Sequence, residues 1–339
     1  MSDATRQIPV AEALAALRAG TAPPAPRTLA VRGALGLVAA ETVVAPSALP
    51  SGWLARRDGI AVASADLVGA SAYAPVLLPQ APPLVRAGQP LPAGADAVLP
   101  ADAAEGAGGL VEIGQPAHPG ENAIAAGADL AAGEPILTPG VIVTPAHRLA
   151  LEAAGIADIR VRVPRIAMVP GVETPALRWL AAQIEACGCR LASPSEADLV
   201  VLGGDSGQDG RTIALRPGFC RLVTWQGRPR LALPLRFDGV VAAFYALLLP
   251  LIAGLTARRP ALVARPLTRK VSSVVGSTDL VLLRETAGGF EPLAVGEAPL
   301  AALVAATAVA LVPPQSEGSA AGMPLDALPL HHPLAPDQA

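Results

Sequence analysis

The clearest chemical signal in the chain is the run Gly203-Gly204-Asp205-Ser206-Gly207. Glycines that follow an apolar stretch let the backbone approach a ligand, and successive N–H groups can cradle an anion, with the Ser206 hydroxyl as a further donor. The run has neither the spacing of a dinucleotide fingerprint nor the lysine of a Walker loop, and an ordinary turn explains the same letters. Asp205 and Asp209 have the oxygen chemistry to hold magnesium, although carboxylates beside glycines are also common on surfaces. Arg56-Arg57-Asp58-Gly59 sets two guanidinium groups beside one carboxylate. Such a pattern serves a phosphate-binding arm, a metal or a salt-bridged turn. Cys187, Cys189 and Cys220 show no regular metal or redox spacing and read as free buried thiols.

The elements that must position these groups follow from periodicity. From Val161 onward strand and helix alternate: Ile166–Val169, helix Pro175–Ala186, Leu199–Leu202, Leu231–Leu233 and the long apolar helix Val240–Leu255. That order predicts an open parallel sheet with helices on its faces. Ligands of such sheets gather beyond the carboxyl ends of the strands, where the glycine run and Glu173 fall. Upstream, Pro9–Arg18 and Arg32–Ala40 read as helices. Brief apolar runs between Ile60 and Gly140 read as a strand-rich subdomain, and Thr144–Ala154 as another helix. Asp279–Arg284, Phe290–Ala294 and Thr307–Val312 predict a small β domain. The Pro-rich tail from Pro313, with His331-His332, reads as loosely ordered, and those histidines as solvent groups rather than ligands.

Composition bounds the rest. Of 339 residues 52% are hydrophobic and 16% charged, enough for a large core, and aromatics are only 3%. The net charge of -3 and the scarcity of stacking side chains argue against nucleic acid as a partner. The N-terminus has no apolar signal core, and Phe244–Leu255 contains a proline, so no membrane association and a cytoplasmic location are expected.

Several segments together carry a family resemblance. Arg57-Asp58-Gly59-Ile60-Ala61 resembles a D-G-Y-A segment, and Gly88-Gln-Pro-Leu-Pro-Ala-Gly-Ala-Asp-Ala-Val98 a G-x-P-L-P-x-G-A-D-A-V segment. Pro119-Gly120-Glu121-Asn122 is followed by Gly127-Ala-Asp129 and Gly133; then come Pro164–Ala167, Gly203-Gly204-x-Ser206 and Arg216-Pro217-Gly218. In this order, from about Val10 to Val312, they resemble the MoeA-type molybdenum insertases, the molybdopterin molybdotransferases related to the gephyrin E domain.

The resemblance implies a mixed α/β multidomain chain. A discontinuous helical and linker domain would span 1–55 and 141–163, with a β-rich inserted domain at 56–140. A MogA-like three-layer α/β domain at 164–262 would be followed by a C-terminal β domain at 263–330 and a tail at 331–339. It further implies a homodimer that takes adenylylated molybdopterin and molybdate, uses Mg²⁺, and releases AMP with molybdenum cofactor. Asp58, Glu173 and Asp209 would be the catalytic carboxylates, Glu173 and Asp209 also the metal ligands. Gly203, Gly204, Ser206, Arg216, Pro217 and Gly218 would surround the anionic pterin ligand.

The departures bear on that chemistry. Ala87 replaces a threonine, Val172 an aspartate, and Ala123–Ala126 a basic run. K-P-G-K-P becomes Arg216-Pro217-Gly218-Phe219-Cys220, which keeps one positive charge. L-P-G-N-P becomes Leu233-Pro234-Leu235-Arg236-Phe237, which loses a glycine and an amide donor. The segment between Glu173 and Gly203 is also short for the family. A catalytically silent relative, acting as a cofactor-binding scaffold or as a maturation chaperone for a client molybdoenzyme, therefore competes with an active insertase. An unrelated phosphatase or nucleotide hydrolase is more distant, because no nucleophile–base pair or two-metal cluster is apparent.

Overall fold

The computed structural model describes residues 7–170, 173–204, 210–218 and 220–337. The chain divides into two compact units, one of Met1–Glu41, Thr138–Pro145 and Asp158–Ala339, the other of Thr42–Leu137 and Ala146–Ala157.

The second unit is built from short strands. Gly59–Val62 pairs antiparallel with both Leu84–Val85 and Ala97–Leu99, while Leu110–Ile113 pairs with Val76–Leu78 and Ala104–Ala107. Its core is small and aliphatic: Ile60, Val62, Leu67, Ala97, Leu99 and Ile113. Two segments that carry the family resemblance hold this core together. Asp96 accepts hydrogen bonds from the Ser64 N–H and hydroxyl, both at 2.7 Å, and so pins the 3-10 turn Ser64–Leu67. Asn122, left-handed at φ 49, donates its side-chain amide to the Val98 carbonyl at 2.9 Å.

The larger unit contains the alternating region as read. Its six-stranded sheet runs Arg190–Leu191, Arg165–Pro170, Leu199–Gly203, Arg228–Leu233, Arg221–Trp225, Gly210–Thr212. The first four strands are parallel and the last two antiparallel. Alternation sorts the side chains onto two faces. Ile166, Leu199, Val201, Leu231 and Leu233 meet the helices in the main core, whereas Ala167, Val200, Leu202 and Ala232 meet Val223 on the opposite face. Helix Pro175–Ala186 starts with Thr174 as its cap, the Thr174 hydroxyl accepting from the Leu177 N–H, and has proline at the tolerated first position.

The long apolar segment forms 20 continuous helical residues, Phe237–Thr256, of mean hydropathy 2.1, and 89% of its apolar window is buried. It starts three residues before and ends one residue after the expected Val240–Leu255, and it runs through Pro250. Pro250 has no N–H to donate and its ring crowds the carbonyl of Ala246. A π turn over Phe244–Leu248 widens the helix at that point and lets it continue. By length and composition the segment could cross a membrane, yet Phe244, Tyr245, Leu247, Leu248 and Ile252 form the centre of this unit's core.

In the C-terminal sheet the order is Leu215–Arg216, Thr278–Thr286, Ala308–Val312, Pro324–Pro329, Val263–Pro266, and Gly289–Val295 also pairs with Thr278–Thr286. Two local readings need correction. Arg32–Ala40 is a 3-10 turn at Val31–Gly33 and a strand at Val38–Ala39 rather than a helix; Gly36, at φ 77, reverses the chain between them. The tail is ordered into strands. Pro324–Pro329 pairs with Val263–Pro266 and Ala308–Val312, its prolines falling at the two ends, where fewer ladder N–H groups are needed. Leu334–Pro336 pairs with Arg258–Pro260. His331 and His332 are exposed, as expected.

Candidate functional site

The carboxyl ends of the central strands bring several of the expected residues to one edge. Pro170 is in register with Gly203, and Gly203 with Leu233. At Gly203 a Cβ would stand 2.8 Å from Leu177 Cδ1 on the neighbouring helix, so a side chain there would require the Leu177 tip to shift. The absence of a side chain at Gly203 lets helix Pro175–Ala186 pack onto the strand end. Gly204 takes the left-handed conformation, φ +84, and donates its N–H to the Leu233 carbonyl at 3.1 Å. That donor is spent within the sheet and is not offered to a ligand.

The segment after Leu233 closes on the same point. Leu235 Cδ2 lies 3.0 Å from where a Gly204 Cβ would be, although Leu235 is 51% exposed overall. Arg236 donates Nε to Asp238 at 2.8 Å and stacks over Phe237, with the guanidinium carbon 5.0 Å from the ring centre. Gly218, at φ +150, comes within 3.6 Å of the Gly239 Cα at the position of an added Cβ, and Gly239 in turn leaves room for Pro234. Gly203, Gly204, Pro234, Gly239 and Gly218 thus form one connected stretch of backbone, in which small residues let three chain segments meet.

Arg216 and Pro217 precede Gly218 and share a cis peptide bond. The Arg216 guanidinium rests on Asp279, Nε to Oδ1 at 3.5 Å, and against Gly296, where a Cβ would be 2.5 Å from Nη2. Asp279 and Gly296 were not singled out in the sequence. The available signal was an acidic residue directly before the apolar run Leu280–Leu283.

Glu173 is exposed and pairs with Arg178 at 3.3 Å, one turn into the following helix. Ser206 and Asp209 lie outside the described residues, as do Val172 and Phe219. Asp58 belongs to the other unit, where its exposed carboxylate accepts the Ala87 N–H at 2.8 Å. The neighbouring Gly59 cannot carry a side chain, because a Cβ would meet the Leu99 carbonyl oxygen at 2.1 Å. Among the described residues no three His, Cys, Asp or Glu side chains cluster as a metal site. By itself Glu173, already paired with Arg178, does not make a magnesium site. Burial raises the Cys187 thiol to about 11 and the Cys220 thiol to about 12, and pushes Cys189 up as well, so none is a nucleophile at neutral pH.

Residues 8–155 match the family model of the MoeA N-terminal region, domains I and II. The chain is 36% identical over 157 residues to molybdopterin molybdenumtransferase 2 of Mycobacterium tuberculosis, a match over 41% of this chain and 38% of that relative's length. The fold extends further than the sequence match. The crystal structure of the molybdopterin biosynthesis MoeA protein from Pyrococcus horikoshii superposes with a TM-score of 0.66 at 22% identity, over 95% of this chain and 99% of that one. A molybdenum cofactor biosynthesis protein from Pyrococcus furiosus gives 0.57 at 18% identity, over 95% and 99%. Residues 8–155 are thus similar in sequence to the MoeA N-terminal region, and nearly the whole chain shares the fold of the MoeA structure from Pyrococcus horikoshii.

Proposed function

We propose that this protein works in molybdenum cofactor biosynthesis and binds molybdopterin or its adenylate at the glycine-lined edge of the parallel sheet. The observation that carries this reading is the junction of Gly203-Gly204, Pro234 and Gly218, with Arg216 two residues away, at the strand ends of a MoeA-type fold. Gly203 and Gly218 leave the backbone there without side chains, and Arg216 supplies a positive charge for a phosphate. Ser206 is proposed as a further donor. Glu173 and Asp209 are proposed as the carboxylates that would meet Mg²⁺ arriving with the substrate's phosphates, and Asp58 as an acidic residue supplied to the same reaction. In the homodimer that the family resemblance implies, the substrates would be adenylylated molybdopterin and molybdate, the products AMP and molybdenum cofactor.

A second reading has its own observation. Leu235 lies over Gly204, and the Gly204 N–H is already bonded, so the phosphate-receiving part of the loop is covered. This favours a relative that keeps the cofactor or a client molybdoenzyme without turning over the adenylate. Incubation of the full chain with adenylylated molybdopterin, molybdate and Mg²⁺ separates the two. Release of AMP in step with cofactor formation supports the insertase; saturable pterin binding without AMP supports the scaffold.

A further inference from the structure

Asp279 is the one fully buried carboxylate among the described residues, with no exposed surface. A buried carboxylate is costly unless hydrogen bonds and an opposite charge compensate it. Its Oδ2 accepts the Ser273 hydroxyl at 2.8 Å and the Val274 N–H at 3.2 Å. Its Oδ1 has no hydrogen-bond partner among the described residues and faces Arg216 Nε at 3.5 Å. The two residues are directly in register, since Leu215–Arg216 pairs in parallel with Thr278–Asp279. Gly296, at φ +63 and hydrogen-bonded to the Leu280 carbonyl, flanks the guanidinium so closely that a methyl group there would displace it. Arg216 is therefore held from below by charge and from the side by backbone, yet its side chain remains 38% exposed.

We propose that Asp279 is a positioning residue. Its anchored carboxylate fixes Arg216 through Nε, so that the outer edge of the guanidinium is presented to an anionic ligand in one place. Merely joining the two strands would not require a charge, because their backbone ladder already does so. A free arginine would lose more side-chain entropy on gripping a phosphate, and fixing it beforehand removes that cost. The ligand-binding part rests on the proposed pterin site; the anchoring of Arg216 does not.

The test uses the full chain as wild type, Asp279→Asn, Gly296→Ala, Arg216→Met and the double variant Asp279→Asn/Arg216→Met. Phenylglyoxal labelling of the Arg216 peptide, followed by mass spectrometry, reads the anchoring without any ligand. Asp279→Asn and Gly296→Ala should each speed labelling severalfold, and unchanged rates in both would overturn the anchor. Titration with adenylylated molybdopterin reads the consequence. Asp279→Asn should weaken binding about tenfold in the wild-type background and leave it unchanged in the Arg216→Met background. An equal loss in both backgrounds, or tighter binding, would overturn positioning. Should Asp279→Asn fail to fold, Gly296→Ala carries both readouts. Failure of the wild type to bind would count against the pterin site and the ligand role of Asp279, with the labelling result still deciding the anchor.

Discussion

Leu235 Cδ2 stands 3.0 Å from the point a Cβ on Gly204 would occupy, so an apolar side chain covers the left-handed glycine at the end of the central strand. Close backbone approach is the main use of a glycine in such a loop, and here the approach is obstructed from outside.

Replacing Leu235 by glycine should uncover that backbone. With the apolar cover gone a phosphate can come nearer the loop, so affinity for the phosphate of molybdopterin should rise severalfold. Leu235 is 51% exposed, and the stability cost should stay near 1 kcal/mol, roughly its modest share of buried area. Titration and denaturation of Leu235→Gly check both; an unchanged affinity would mean that Leu235 is no obstacle.

Two aspartates in the smaller unit should behave differently. Asp96 receives two short hydrogen bonds from Ser64, and Asp96→Ala should cost about 2–3 kcal/mol in denaturant titration. Asp58 is exposed and receives one N–H from Ala87, so Asp58→Asn should cost less than about 0.5 kcal/mol. A small loss for Asp58→Asn with a large drop in turnover would place it in the reaction. A large stability loss would make it structural.

These contrasts show what the letters could and could not convey. The parallel strands were legible because Leu199–Leu202 and Leu231–Leu233 are apolar on both faces, and helix Pro175–Ala186 because a threonine and a proline mark its start. Arg32–Ala40 misled because helical propensity is local, whereas Val38–Ala39 is a strand through its pairing with Val161 and Arg162. The tail misled in the same way: its proline content hid a strand that exists by pairing with Val263–Pro266, roughly sixty residues earlier. At the site, Gly203 was legible as a glycine that follows an apolar strand, but its contact with Leu177 of the next helix was not visible in sequence. Asp279 was missed because only the fold shows that the acid directly before Leu280–Leu283 is fully buried beneath Arg216.

The buried thiols give a pH prediction. The folded thiols of Cys187 and Cys220 are raised to about 11 and about 12 by burial, from an ordinary value of 9.0. Above that ordinary value an unfolded thiol ionises while the folded one keeps its proton. The unfolded state then binds fewer protons, and stability falls as pH rises from about 9 to 11. Denaturation at pH 7 and at pH 10 should show this loss, and a Cys187→Ala/Cys220→Ala variant should show less of it. A thiol reagent at pH 8 should leave all three native cysteines unmodified.

The described residues should need no divalent cation to fold. Among the described residues no cluster of three metal-ligating side chains exists. An ion bound to the native state would raise its stability by mass action, so EDTA should shift the Tm by less than about 1 °C. A clear drop in Tm would reveal a resident ion.

The central claim is an anionic pterin site at the glycine-lined edge, and equilibrium titration of the purified full chain with adenylylated molybdopterin tests it most directly. The account predicts saturable binding in the micromolar range, one ligand per chain, weakened by Arg216→Met. Absence of saturation at high micromolar ligand, under conditions where an active MoeA protein binds, would contradict it.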